Sequence, residues 1–173
     1  MQAVLCFGNE WHGDDGFGLA VYNALLQSPA SASLFSPVSN RQNCQIYFCA
    51  NNAHFAPAEI FQADRIIIVD ALQSAELTPG ELHWASASNF IAQRARNLHD
   101  GGVEEFIRHL PILVKPRPMP EVDVLYITVA PVEGFNEGLS AVVSAGVEKA
   151  GIMICEALMT QKMTCRRSLN AGV

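Results

Sequence analysis

Ile66, Ile67, Ile68 and Val69 form an unbroken β-branched run between Arg65 and Asp70. β-Branched side chains suit the pleated strand, and a run without polar alternation leaves no face for water. A strand of this kind is buried on both sides, as the strands of parallel sheets are. Parallel strands need crossover connections, usually helices, packed on the sheet. Ala3–Phe7 and Val124–Ala130 repeat the pattern. Helix-spaced apolar residues lie between these runs: Phe17, Ala20, Val21, Ala24 and Leu25, then Val103, Phe106, Ile107 and Leu110. A longer helix is expected from about Ser140 to Thr160. Strands alternate with helices throughout. The expected fold is therefore an α/β class, three-layer α/β/α sandwich with a mostly parallel twisted sheet of about five strands. Residues 1–173 are expected to form one domain, without internal repeats.

The connections read as follows. The first helix starts near Asp14 or Asp15, where an acidic residue suits a helix N-terminus, and Ser28-Pro29 stops it. Residues 29–44 are rich in Ser, Pro and Asn and are expected to be a loop. Gln45–Cys49 is the second strand. A short helix covers 56–63, with Pro57 in its first turn. Thr78-Pro79-Gly80 is a turn into a short strand, Glu81–Trp84. Pro111, Pro116, Pro118 and Pro120 make 111–122 a loop.

Composition excludes several function classes. The chain carries 17 acidic and 11 basic side chains, a net charge of −6. Nucleic-acid binding needs a basic face, so none is expected. Glu148, Lys149 and Glu156 interrupt the apolar stretch 138–160, which marks a buried amphipathic helix and no membrane contact. No basic segment precedes an apolar run at the N-terminus, so no secretory leader is expected. The five cysteines are odd in number and contain no CxxC pair. Reduced thiols in the cytoplasm fit this better than a disulfide frame or a zinc site. Cys6 and Cys49 fall in strands, where a thiol acts as a small hydrophobe.

Three residues remain as candidates for chemistry: Asp15, Asp70 and His99. In an open parallel sheet function collects beyond the carboxyl ends of the strands. Asp14 and Asp15 lie in a glycine-rich loop, Gly8-Asn9-Glu10-Trp11-His12-Gly13-Asp14-Asp15-Gly16-Phe17-Gly18, directly after the first strand. Such loops usually cradle phosphate, but two adjacent carboxylates repel it. Asp70 ends the β-branched strand, and His99 precedes a helix. Two carboxylates and an imidazole suit a divalent cation with positions left open. Each also has a plainer explanation: Asp residues at these places cap helices or form turns, and a lone His is commonly a surface residue. His12, His54, His83 and His109 are read in that plainer way. No GxGxxG, GxxxxGK[ST] or GxSxG motif occurs, and no aspartic-protease D[TS]G loop.

On these residues the chain resembles the hydrogenase maturation proteases, the endopeptidases that trim the C-terminus of nickel–iron hydrogenase large subunits. GNEWHGDDGFG is similar to the family's GN-x-[LM]-x-x-DDG-[VI]-G signature. Ile66–Ala71 resembles its apolar strand ending in Asp-Ala or Asp-Gly. Thr78–Leu82 resembles its PGT-like turn, Asn97–Asp100 its histidine segment, and Gly138-Leu139-Ser140 the opening of its last helix. Trp11-His12 and Val129–Gly134 depart from the family's usual strings. The resemblance implies that Asp15, Asp70 and His99 contact nickel, and that Asp15 and Asp70 are catalytic. It makes Asp15, directly before the glycine, the metal carboxylate; Asp14 caps the helix or orients the loop. The implied substrate is the precursor large subunit of a [NiFe] hydrogenase after its metal centre is inserted. The nickel is sensed in the substrate rather than held as a stored cofactor. The cation either polarises the scissile carbonyl while a carboxylate activates water, or serves docking alone. The alternatives from other classes are a non-enzymatic metal-sensing, chaperone-like module that docks on the same precursor, and a small-molecule hydrolase.

Overall fold

A computed structural model of the chain describes residues 1–35, 44–52, 56–94, 102–131 and 134–170. The apolar runs become strands β1 (Gln2–Phe7), β2 (Cys44–Ala50), β3 (Arg65–Gln73) and β5 (Glu121–Val129), with β4 at Leu82–Ser86. They form one sheet of five strands in the order β2-β1-β3-β5-β4. β1 runs parallel to β2 and β3, and β3 parallel to β5. Only the edge strand β4 is antiparallel, to β5. This is the expected three-layer α/β arrangement. Leu5, Ile66–Val69, Val124 and Leu125 are wholly buried, as strands covered on both faces require.

Two cores divide along the pleat. Leu5, Phe7, Ile66, Ile68, Leu72 and Tyr126 face one layer, built from α3 (Ala87–Arg94) and α4 (Gly102–Leu113). Cys6, Ile67, Val69, Leu125 and Ile127 face the other, built from α1 (Phe17–Gln27) and α5 (Ala141–Asn170). Phe17, Val21 and Leu25 fill the inner side of α1 as their spacing predicts. Among the described residues no helix is long and apolar enough to cross a membrane.

Several local expectations change. The first helix opens with a separate 3-10 turn at Gly13–Gly16, and α1 proper begins at Phe17. Part of the expected 29–44 loop is α2 (Pro29–Phe35). Pro29 ends α1 but occupies the first turn of the next helix, where its missing N–H costs nothing. The Ser31 hydroxyl donates to the Leu25 carbonyl at 2.7 Å and ties the two helices. The expected helix at 56–63 is a 3-10 turn, Ala58–Gln62. Helix α4 continues past Pro111 to Leu113. A proline this near a helix end removes one hydrogen bond without ending the packing of Leu110 and Val114, both buried. Helix α3 has no sequence signal strong enough to predict it; only Phe90 anchors it fully.

An ion pair closes the opposite end of the sheet. Arg65 Nη2 and Nε donate to Asp123 Oδ2 at 2.6 and 3.2 Å, and Nη1 donates to the Ala157 carbonyl of α5 at 2.9 Å. Cys6 and Cys49 are buried thiols in β1 and β2, as expected of small hydrophobes in strands. Cys44, expected in the loop, is the buried first residue of β2. Burial pushes the Cys49 thiol up to about 12, and burial together with the nearby Cys49 raises Cys6.

Candidate active site

The strand order reverses between β1 and β3. From β1 the chain leaves toward α1 on one face and on to β2; beyond β3 it continues to β4 and then to α3 and α4 on the other face. Where connections diverge in this way, the carboxyl ends of the two strands are the place where such sheets bind ligands. Asp15 follows β1, and Asp70 lies on β3.

The loop after β1 is held by its own backbone. Gly8 takes φ +140°, and a Cβ there would meet the Asp15 carbonyl oxygen at 2.1 Å. Only glycine fits. Asn9 N–H donates to that same carbonyl at 3.1 Å, Asp15 N–H to the His12 carbonyl at 3.2 Å, and His12 N–H to the Asn9 carbonyl at 3.1 Å. The loop thus folds into a small knot that fixes Asp15 against the end of β1. The 3-10 turn that carries Asp15 packs on β3. Asp15 is half-buried.

Asp14 takes a different role from its neighbour. Its Oδ1 accepts the Ser140 N–H at 2.6 Å and its Oδ2 the Ser140 hydroxyl at 2.9 Å. The carboxylate therefore serves the start of α5, where an anion suits the helix dipole. It does not cap α1, whose N-cap is Gly16 and has no side-chain bond. One carboxylate of the pair is thus committed to joining the loop to α5.

Asp70 is only 5% exposed, on a strand whose buried residues after Arg65 are otherwise aliphatic. The strand does not end at Asp70 as expected from the sequence: it runs on to Gln73, because Ala71 and Leu72 are buried as well and pair with β5. Taking the Asp70 carboxylate out of water at such an interior position is costly. Its register partner on β5 is Tyr126, whose own partner on β4 is His83. The His83 ring stacks on Tyr126 with centroids 5.0 Å apart. His83 Nε2 is buried with no hydrogen-bond partner, 3.8 Å from Glu81 Oε2. The sequence suggested a plain surface histidine here; the structure sets it in the same row as Asp70. Strand alternation from Leu82 could have shown the shared face, but not the row.

Asp15, in the turn after β1, and Asp70, the residue after the last one that β3 pairs with β1, thus lie toward the same end of the sheet. His99 lies outside the described residues, as does His54. Among the described residues no three His, Cys, Asp or Glu side chains gather closely enough to hold a metal ion.

Solved structures then place this architecture. The hydrogenase maturating endopeptidase HybD from E. coli is similar at 20% identity and a TM-score of 0.69, over 92% of this chain and 93% of that one. A [NiFe] hydrogenase maturation protease HybD from Thermococcus kodakarensis gives 21% identity and 0.63, over 91% and 98%. The chain has the fold of the hydrogenase maturation proteases. A hydrogenase 3 maturation protease has that fold too, at 21% identity and a TM-score of 0.61 over 87% and 86% of the two chains. No protein-family model matches the sequence, and no curated protein does. The likeness to these structures is one of fold, with about a fifth of the aligned residues identical.

Proposed function

We propose that this chain is an endopeptidase of hydrogenase maturation, removing a C-terminal extension from the nickel-loaded precursor of a [NiFe]-hydrogenase large subunit. The observation that carries the reading is the pair Asp15 and Asp70 at the switch point of a maturation protease fold. The oxygen donors fit a divalent cation presented by a substrate, since hard and borderline cations accept carboxylates. In this reading Asp15, Asp70 and His99 are the groups that meet the substrate's nickel. Asp15 and Asp70 are also the catalytic residues: a carboxylate near the scissile bond can take a proton from the attacking water. Asp14, bonded to α5, holds the loop in place. The same reading places the protein in the cytoplasm.

The test is incubation of the purified protein with nickel-loaded precursor, followed by intact-mass measurement. The endopeptidase reading expects a mass loss equal to one C-terminal peptide. A precursor that binds but keeps its full mass would favour a docking module instead.

A further inference from the structure

Trp11 and Phe135 are large aromatic side chains left 46% and 71% exposed. They stack on each other with centroids 5.4 Å apart and planes 18° from parallel. Trp11 comes from the loop after β1, four residues before Asp15, and Phe135 from the loop between β5 and α5. Both loops lie at the end of the sheet that carries Asp15 and Asp70.

The two loops that carry the pair are tied to each other. Gly13 N–H donates to the Asn136 carbonyl at 2.6 Å, and Asn136 N–H donates to the Trp11 carbonyl at 3.0 Å. These bonds form a small parallel bridge between the loops. The Asp14–Ser140 bonds fasten the same two segments a few residues further on. Two exposed rings on a braced support lose little freedom when a partner covers them, which is the property of a binding anchor. Beside Trp11 a hollow of about 420 Å³ opens, walled by Leu19 and Leu139 and flanked by Glu10 and Glu137. No Lys or Arg lines it among the described residues. Its lining thus combines apolar side chains with two exposed carboxylates.

We infer that Trp11, Phe135 and the adjoining hollow form a docking subsite for the partner polypeptide, specific for an extended segment with a bulky apolar side chain next to Lys or Arg. The apolar group covers the rings and enters the hollow, and the cation meets Glu10 and Glu137. The inference rests on the endopeptidase reading above and names where its substrate is gripped. Trp11 and Phe135 are positioning residues, distant in role from the bond that breaks.

The experiment is steady-state processing of nickel-loaded precursor by the wild type, Trp11→Ala, Phe135→Ala, Trp11→Phe, and the double variant Glu10→Lys with Glu137→Lys. Each alanine variant is expected to raise KM about tenfold, as loss of an interface anchor does, while kcat changes by less than about twofold. Trp11→Phe should recover most of the loss. Charge reversal should raise KM as well, and 0.5 M salt should weaken the wild type similarly, because exposed charge pairs are screened at that ionic strength. If the wild type processes the precursor and both alanine variants keep its KM, the subsite is wrong. A lowered or unchanged KM on charge reversal overturns the basic partner segment. A wild type that processes nothing removes the endopeptidase reading itself, and this inference with it.

Discussion

Gly18 and Gly151 both lie in helices, and the same substitution should move stability in opposite directions at the two. A Cβ on Gly18 would lie 1.8 Å from the Phe7 carbonyl oxygen and 2.9 Å from its carbon. Carbon and carbonyl oxygen approach to about 3.3 Å at closest, so α1 and β1 must separate by about 1.5 Å. The obstructing atoms are backbone and cannot rotate away. Overpacking of this kind costs up to about 3 kcal/mol, and alanine's better helix propensity returns about 1 kcal/mol. Gly18→Ala should therefore lose about 2 kcal/mol, which lowers Tm by about 4–8 °C for a chain of this size. At Gly151 the nearest atom outside the helix is Leu25 Cδ2 at 3.7 Å, an ordinary contact. Gly151→Ala should keep the propensity gain of about 0.5–1 kcal/mol and raise Tm by about 1–4 °C. Calorimetry or thermal melts by circular dichroism at pH 7 read both. Equal shifts in the two variants, or a Gly18→Ala melt within about 1 °C of wild type, would falsify the close helix–strand approach that positions the Asp15 loop.

Three further outcomes follow from other contacts. Asp14→Ala loses both bonds to Ser140 and should cost about 1–2 kcal/mol in a denaturant melt; an unchanged midpoint would mean α5 does not need this carboxylate. Arg65→Met strands the mostly buried Asp123 carboxylate and should cost about 3–5 kcal/mol, while adding Asp123→Leu should recover much of it; full additivity of the two losses would contradict the pairing. The Cys49 thiol is held up to about 12 by burial, so the folded state keeps a proton that the unfolded chain releases from about pH 8.5. That contribution to stability is complete below the unfolded value and is lost as pH rises toward 12. Between pH 9 and 11 the stability of Cys49→Ala should fall less steeply than wild type by up to about 1.4 kcal/mol per pH unit, and parallel curves would refute the assignment.

The sheet was legible because its strands are nearly pure apolar runs. Ile66–Val69 and Ala3–Phe7 leave no other way to bury their side chains, and the helix spacing of Phe17, Val21 and Leu25 supplies the covering layer. Shorter elements were less visible. Helix α2 is written in Ser, Ala and Pro, a loop composition that becomes helical because Leu34 is buried and Ser31 reaches back to α1. Helix α3 shows one fully buried side chain, Phe90, which packs on Tyr126 of a distant strand. The site divides in the same way. Asp15 and Asp70 stood out in the sequence because each follows an apolar run, although β3 continues past Asp70 to Gln73. The task of Asp14 did not, because Ser140 is 126 residues away. Trp11 gave no sign of its stack on Phe135 for the same reason.

The central claim is that Asp15 and Asp70 carry the processing of a nickel-loaded precursor. The most direct measurement is the rate at which the wild type, Asp15→Asn and Asp70→Asn convert that precursor, followed by intact mass, with the melting curve of each variant recorded alongside. Each exchange keeps side-chain shape and removes one charge. Loss of a charge-assisted contact made in the transition state should slow processing several-fold to several-hundred-fold, about 1–4 kcal/mol, with fold stability nearly unchanged. Wild-type rates in both variants would contradict the claim, and variants that unfold would show the carboxylates to be structural.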